Sequence, residues 1–192
     1  MKKVFLIHGW GGYPEEGWLP WLKKKLEARW FEVFVPAMPD AEHPQMGVWL
    51  KHLSRILGIP DQNYYLVGHS LGCMTIFRYL ETLKKNQKIG GAVLVAGFTS
   101  NLGFEELNSF FKKPIAWEKI KSHCPRFTAV HSDNDPYVSV HYGEFFKEKF
   151  GAEVVIEHAK KHFSGDDGIT ELPSVLDAVL KLSTTRSKGW SG

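Results

Sequence analysis

A three-layer α/β sandwich is the fold class this sequence predicts: a compact, mostly parallel sheet of about six strands with helices on both faces. Three observations carry it. Short apolar runs rich in β-branched and aromatic residues alternate with longer amphipathic stretches along the chain. Most interior runs are continuously apolar, as in parallel strands covered on both faces. Between one such run and the next amphipathic stretch lies Gly68-His69-Ser70-Leu71-Gly72, a G-x-S-x-G pentapeptide in a strand, sharp turn, helix setting.

Lys3–Ile7 is the first predicted strand, cut off by His8-Gly9. Trp18–Arg29 reads as a helix, because Trp18, Trp21, Leu22, Leu26 and Arg29 recur at helical spacing while Lys23-Lys24-Lys25 ride the outer face. Phe31–Val35 is the second strand and Gln45–Leu57 the second helix. Tyr64–Val67 leads into the turn, and Leu71–Leu83 leaves it as a helix. Ala92–Ala96 is the fourth strand. From Gly97 to Arg126 no strand signal occurs, and Asn101–Phe111 and Trp117–Cys124 can each form a short helix. Phe127–His131, Tyr142–Phe150 and Glu153–Ile156 then read as strand, helix, strand. The last helix is Ser174–Leu182, started by Pro173. At 192 residues the chain predicts one domain, residues 1–183, with 184–192 as a polar, flexible tail.

The pentapeptide directs attention to nucleophilic chemistry. Its serine would sit at the apex of a strained turn, and side chains in place of Gly68 and Gly72 would clash across it. A serine hydroxyl needs a base in hydrogen-bond reach, and the base needs an orienting acid. In an open parallel sheet such groups gather at the carboxyl ends of strands. After the fifth strand comes Ser132-Asp133-Asn134-Asp135-Pro136-Tyr137-Val138, and after the sixth Glu157-His158-Ala159-Lys160-Lys161-His162-Phe163. The order Ser, Asp, His fits a hydrolase relay. Asp135 is favoured over Asp133, because Pro136 can fix its turn and Val138 can anchor it; Asp133 reads as a turn residue capping amides. His162 is favoured over His158, which lies only two residues past its strand.

An acyl-transfer serine also needs an oxyanion hole. The Leu71 amide, at a helix N-terminus, is one expected donor. The Trp10 amide, in His8-Gly9-Trp10-Gly11-Gly12, is the other. His8 is expected to hold this loop by side-chain hydrogen bonds, and His69 to pack. Trp10, Phe98, Tyr137 and Phe163 are candidate walls of an apolar pocket, each equally compatible with core packing. The glycine loop lacks a full G-x-G-x-x-G and a phosphate-binding lysine, which argues against a nucleotide.

Composition excludes other classes. With 24 basic and 21 acidic residues, the net charge of +3 is too balanced for a nucleic-acid partner. Cys73 and Cys124 form no C-x-x-C pair and neighbour no histidine at ligand spacing, so no metal or other cofactor is expected. No stretch nears the roughly 18 apolar residues of a membrane helix, and the N-terminal apolar run is too short for a signal peptide. A cytoplasmic protein with reduced thiols, acting on a small ester or acyl substrate without a membrane partner, is the expectation.

The residues also resemble a known family. His8-Gly9, Trp18-Leu19-Pro20-Trp21-Leu22, Tyr65-Leu66-Val67-Gly68-His69-Ser70-Leu71-Gly72-Cys73, the Asp135 loop and Lys161-His162-Phe163 are similar to the YdeN-like small serine hydrolases. The resemblance runs from Val4 to about Leu182. It implies a compact α/β-hydrolase fold lacking the two leading strands of larger members, with Ser70 as nucleophile, Asp135 as acid and His162 as base. It also implies carboxylesterase or amide hydrolase activity. The family includes an animal retinoblastoma-binding member, but the L-x-C-x-E signature for that partner is missing here: Leu71-Gly72-Cys73-Met74-Thr75 fits only its first half. A hydrolase-fold binding protein with a vestigial triad, and a thioesterase, are the alternative readings.

Overall fold

The computed structural model describes residues 1–184. Six strands form one sheet: β1 (Lys3–Ile7), β2 (Glu32–Phe34), β3 (Tyr64–His69), β4 (Gly91–Val95), β5 (Phe127–Ser132) and β6 (Glu153–Glu157). Their spatial order is β2-β1-β3-β4-β5-β6, and every neighbouring pair is parallel. The described helices are α1 (Leu19–Glu27), α2 (Met46–Leu57), α3 (Leu71–Thr82), α4 (Asn108–Phe111), α5 (Trp117–His123), α6 (His141–Phe150) and α7 (Pro173–Thr184). The last helix extends through Thr184, one residue beyond the expected domain end; the rest of the expected tail lies outside the described residues.

Successive strand side chains point to opposite faces, and both faces are covered. Val4, Leu6, Val93, Val95 and Val130 pack against Leu19, Leu22 and Leu26 of α1 and Val175 and Val179 of α7. Phe5, Ile7, Leu66, Leu94 and Ala129 pack on the other face with Trp49 and Leu53 of α2, Ile76 and Phe77 of α3 and Phe146 of α6. Full burial of each such side chain contributes roughly 1.5–3 kcal/mol. That double burial is why the interior strands read as unbroken apolar runs.

The segment between β4 and β5 forms a short 3-10 turn (Glu105–Leu107) followed by α4 and α5. A buried arginine of α3 pins it. Arg78 donates to the carbonyls of Phe110, Lys113 and Pro114 and pairs with Glu81 at 2.8 Å, while Glu81 accepts the Ala116 amide at 2.7 Å. Trp117 packs its ring edge against Phe77, adding apolar contact to this polar anchorage.

The strand order creates the crevice that positions the site. From β1 the chain runs through α1 to β2 on one side. It then returns across to β3 on β1's other side and leaves through α3 on the opposite face. The loops after β1 and β3 therefore diverge, which opens a cleft at the carboxyl edge.

Candidate active site

Ser70 joins β3 to α3 with φ +53° and ψ −119°. A non-glycine residue held at such angles costs of order 1–3 kcal/mol. Its surroundings hold it there: the Ser70 amide donates to Val95 O at 2.8 Å, and Ser70 O accepts from the Cys73 amide at 3.0 Å. The flanking glycines are steric requirements. A Cβ on Gly68 would lie 2.6 Å from the Cys73 nitrogen, and one on Gly72 would collide with the carbonyl oxygen of Ile7.

Ser70, His162 and Asp135 are hydrogen-bonded in series. His162 Nε2 lies 3.0 Å from Ser70 Oγ, and His162 Nδ1 lies 2.8 Å from Asp135 Oδ2. A carboxylate oxygen only accepts, so Nδ1 carries the imidazole proton and Nε2 accepts from the serine hydroxyl. The Asp135 side chain is 1% exposed, and its other oxygen accepts the amides of Tyr137 (2.9 Å) and Val138 (3.0 Å). Pro136 lies within that turn, and Val138 is fully buried.

The loop after β5 is a template for the loop after β6. Asp133 Oδ1 accepts the Ala159 amide, Ser132 Oγ the Lys160 amide, Asn134 Oδ1 the Lys161 amide, and Asp167 Oδ2 the His162 amide. Four successive backbone donors thus end on side chains. They hold a strained stretch, with Ala159, Lys161 and Phe163 all at positive φ (55°, 48° and 59°). Burial works against ionisation of Asp167, but hydrogen bonds from Ser164 and the His162 amide, with Lys161 nearby, keep its carboxyl below the ordinary value.

The two competing side chains found each other. His158 Nδ1 donates to Asp133 Oδ2 over 2.6 Å, and the His158 ring is 86% exposed. The Ala159 amide, then His158, lowers the Asp133 carboxyl below its usual range. This pair ties β5 to β6, and neither member touches Ser70.

His8 is fully buried, and Nε2 accepts the Met38 amide at 3.0 Å. Nδ1 therefore carries the proton and donates to Gly9 O at 2.9 Å. Burial lowers the His8 pKa, consistent with this neutral form. The Gly11 amide donates to Ala41 O, fixing the far side of the loop. Gly9 lies against the serine: a Cβ there would stand 3.0 Å from Ser70 Cβ. Among the described residues, the amides of Trp10 and Leu71 donate to no protein acceptor.

A cleft of ≈ 1010 Å³ opens beside Ser70, and its polar wall includes Glu16, Asn134, Lys161, Ser164 and Asp166. The cleft is mixed in character, and two of the four candidate apolar walls belong to it. Trp10 and Tyr137 line it, with Tyr13. Phe98 and Phe163 do not: each is buried, Phe98 against Phe111 and Phe163 in the core shared with α1 and α7. Glu16 escaped the sequence reading because nothing local distinguishes it from a surface acid. Its carboxyl is pushed up, chiefly by burial. Among the described residues no group of three or more His, Cys, Asp or Glu is placed to hold a metal ion, and no helix is long and apolar enough to cross a membrane.

Comparison with known proteins agrees with this architecture. The sequence profile of the serine hydrolase family matches residues 4–181. The chain is 32% identical over 179 residues to the hydrolase YdeN of Bacillus subtilis (strain 168), covering 93% of this chain and 94% of YdeN. It is 28% identical over 183 residues to the serine hydrolase RBBP9 of Rattus norvegicus, covering 93% and 95%. The crystal structure of the B. subtilis ydeN gene product superposes with a TM-score of 0.91 at 31% identity, covering 96% of this chain and all of that one. With the elbow, the parallel sheet and a profile match over nearly its whole length, this chain belongs to the serine hydrolase family and has an α/β-hydrolase fold.

Proposed function

We propose that this protein is a carboxylesterase acting on small esters or related acyl compounds through an acyl-enzyme on Ser70. The observation that carries the reading is the unbroken hydrogen-bond series from buried Asp135 through His162 to Ser70 Oγ, beside an open cleft. His162 Nε2 takes the hydroxyl proton as Ser70 attacks the carbonyl carbon, and Asp135 stabilises the imidazolium that forms. The tetrahedral oxyanion is met by the Leu71 amide, at the N-terminus of α3, and the Trp10 amide. His162 then protonates the leaving alcohol, and water repeats the sequence to release the acid. The charged and polar side chains along one wall of the cleft favour a compact substrate over a long apolar acyl chain.

A fluorophosphonate probe and p-nitrophenyl acetate test this. Stoichiometric labelling of Ser70 together with ester turnover is expected. An unlabelled protein beside a reactive control esterase would refute the enzyme in favour of a binding role, and faster acyl-thioester cleavage would move the substrate class.

Asp135→Asn is expected to lower kcat by about 10⁴-fold. The Tyr137 and Val138 amides need an acceptor, so the Asn oxygen would stay with them. Its NH₂ would then face His162 Nδ1 and drive the imidazole proton onto Nε2, removing the lone pair the serine requires. A kcat within tenfold of wild type would contradict this account.

A further inference from the structure

We propose that His69, the residue preceding the candidate nucleophile, is a positioning residue: with Trp18 it clamps two consecutive backbone carbonyls of the base loop and so sets the reach of His162. The inference rests on the assignment of Ser70 and His162 above.

His69 Nε2 lies 2.8 Å from the backbone oxygen of His162. A carbonyl only accepts, so Nε2 carries the proton and donates. Trp18 Nε1 donates to the next carbonyl, Phe163 O, over 3.1 Å. The two clamping rings brace each other, meeting edge to face with centroids 6.0 Å apart, and the His69 ring also lies 5.2 Å from that of His162. Trp18 is 1% exposed and His69 5%, so the clamp is built into the core.

The loop it holds has reason to drift. Lys161 and Phe163, on either side of His162, are both at positive φ without being glycine. Such a backbone persists only where its surroundings over-determine it. The amides of residues 159 to 161 are held by Asp133, Ser132 and Asn134 at the carboxyl end of β5, and that of His162 by Asp167 further along its own loop. The carbonyls of His162 and Phe163 are held by His69 and Trp18, from the side of the elbow and α1. The clamp therefore ties the backbone of the base loop to the elbow, since His69 and Ser70 are adjacent in the chain, and so supports the His162–Ser70 hydrogen bond. A displacement of about 1 Å can cost on the order of 100-fold in rate.

His69 does this as a neutral group. Burial, and next the neighbouring His162, push its pKa down to about 3, so at assay pH the ring stays neutral with its one proton on Nε2.

The test compares His69→Leu with His69→Gln, whose side-chain NH₂ reaches the place of Nε2. Rates of fluorophosphonate labelling, kcat and KM on p-nitrophenyl acetate, the pH–rate profile and melting temperature would be read. His69→Leu is expected to lower kcat and the labelling rate at least tenfold with KM within about threefold, and His69→Gln to recover most of that loss. The ascending limb of the pH profile should stay in place in His69→Gln. Trp18→Phe, which keeps a ring but loses the indole donor, should show a smaller fall of the same kind. Equal losses in the Leu and Gln variants, no loss in His69→Leu, or a pH limb abolished in His69→Gln would each overturn the clamp. An unlabelled wild type would instead overturn the serine nucleophile, and the clamp with it. Should His69→Leu not fold, the Gln variant and Trp18→Phe still decide: wild-type kcat in Trp18→Phe, or a tenfold loss in His69→Gln, refutes the proposal.

Discussion

Ser70→Ala is expected to lower kcat by about a millionfold while leaving the protein folded. The size follows from loss of the only atom able to form the acyl bond; any residual rate comes from the oxyanion donors and binding alone. Retention of the fold follows from what Ser70 contributes structurally. Its Oγ hydrogen bond is to His162, at the cleft. The contact that fixes the elbow is made by its backbone amide to Val95 O, which alanine keeps. Alanine also carries the same Cβ, so the cost of φ +53° is unchanged. Melting temperature and p-nitrophenyl acetate turnover measured on one preparation check both halves. Turnover above a tenth of wild type would remove Ser70 from the mechanism.

His162→Ala should produce a loss of the same order, whereas His158→Ala should change kcat by less than about threefold. The contrast comes from what each ring touches. His162 joins Asp135 to Ser70, with its side chain 16% exposed; His158 is 86% exposed and bonded to Asp133. Losing His158 weakens one tie between β5 and β6, and the Ala159 amide still engages Asp133. Groups that act as a unit are not additive, so Ser70→Ala combined with His162→Ala should be no slower than Ser70→Ala alone. A severe loss in His158→Ala with a mild one in His162→Ala would reverse the assignment of the base.

Much of this was written locally. The interior strands are runs of apolar residues buried on both faces, and their placement needs only a few consecutive side chains. Gly68 and Gly72 announce a close approach because any Cβ there collides with neighbouring backbone. His8 was legible as the fastener of its own loop. The pocket was not. Phe98 and Phe163 have the composition of a pocket wall and the burial of a core, since aromatic residues serve both, and only their packing partners separate the two. Glu16 was missed, and the hydrogen bond of His69, a residue expected only to pack, went unseen for a related reason. Glu16 is distinguished by burial beside a loop far along the chain, and His69 by a carbonyl 93 residues away.

The sequence by itself determined the α/β alternation, the serine elbow and the order of serine, acid and histidine. Those depend on short-range periodicity and on local sterics, which a few residues encode. The sequence favoured Asp135 and His162, but what the rejected Asp133 and His158 do instead was visible only in the tertiary structure, because that depends on how two loops align across β5 and β6. Asp133 and Asp135 are two residues apart and His158 and His162 four, yet the pairs separate cleanly: one binds the strands together, the other reaches Ser70. The separation is made by a strained backbone from Ala159 to Phe163, held by four side chains on its amides and two on its carbonyls. Long-range hydrogen bonds of that kind leave no period in the sequence.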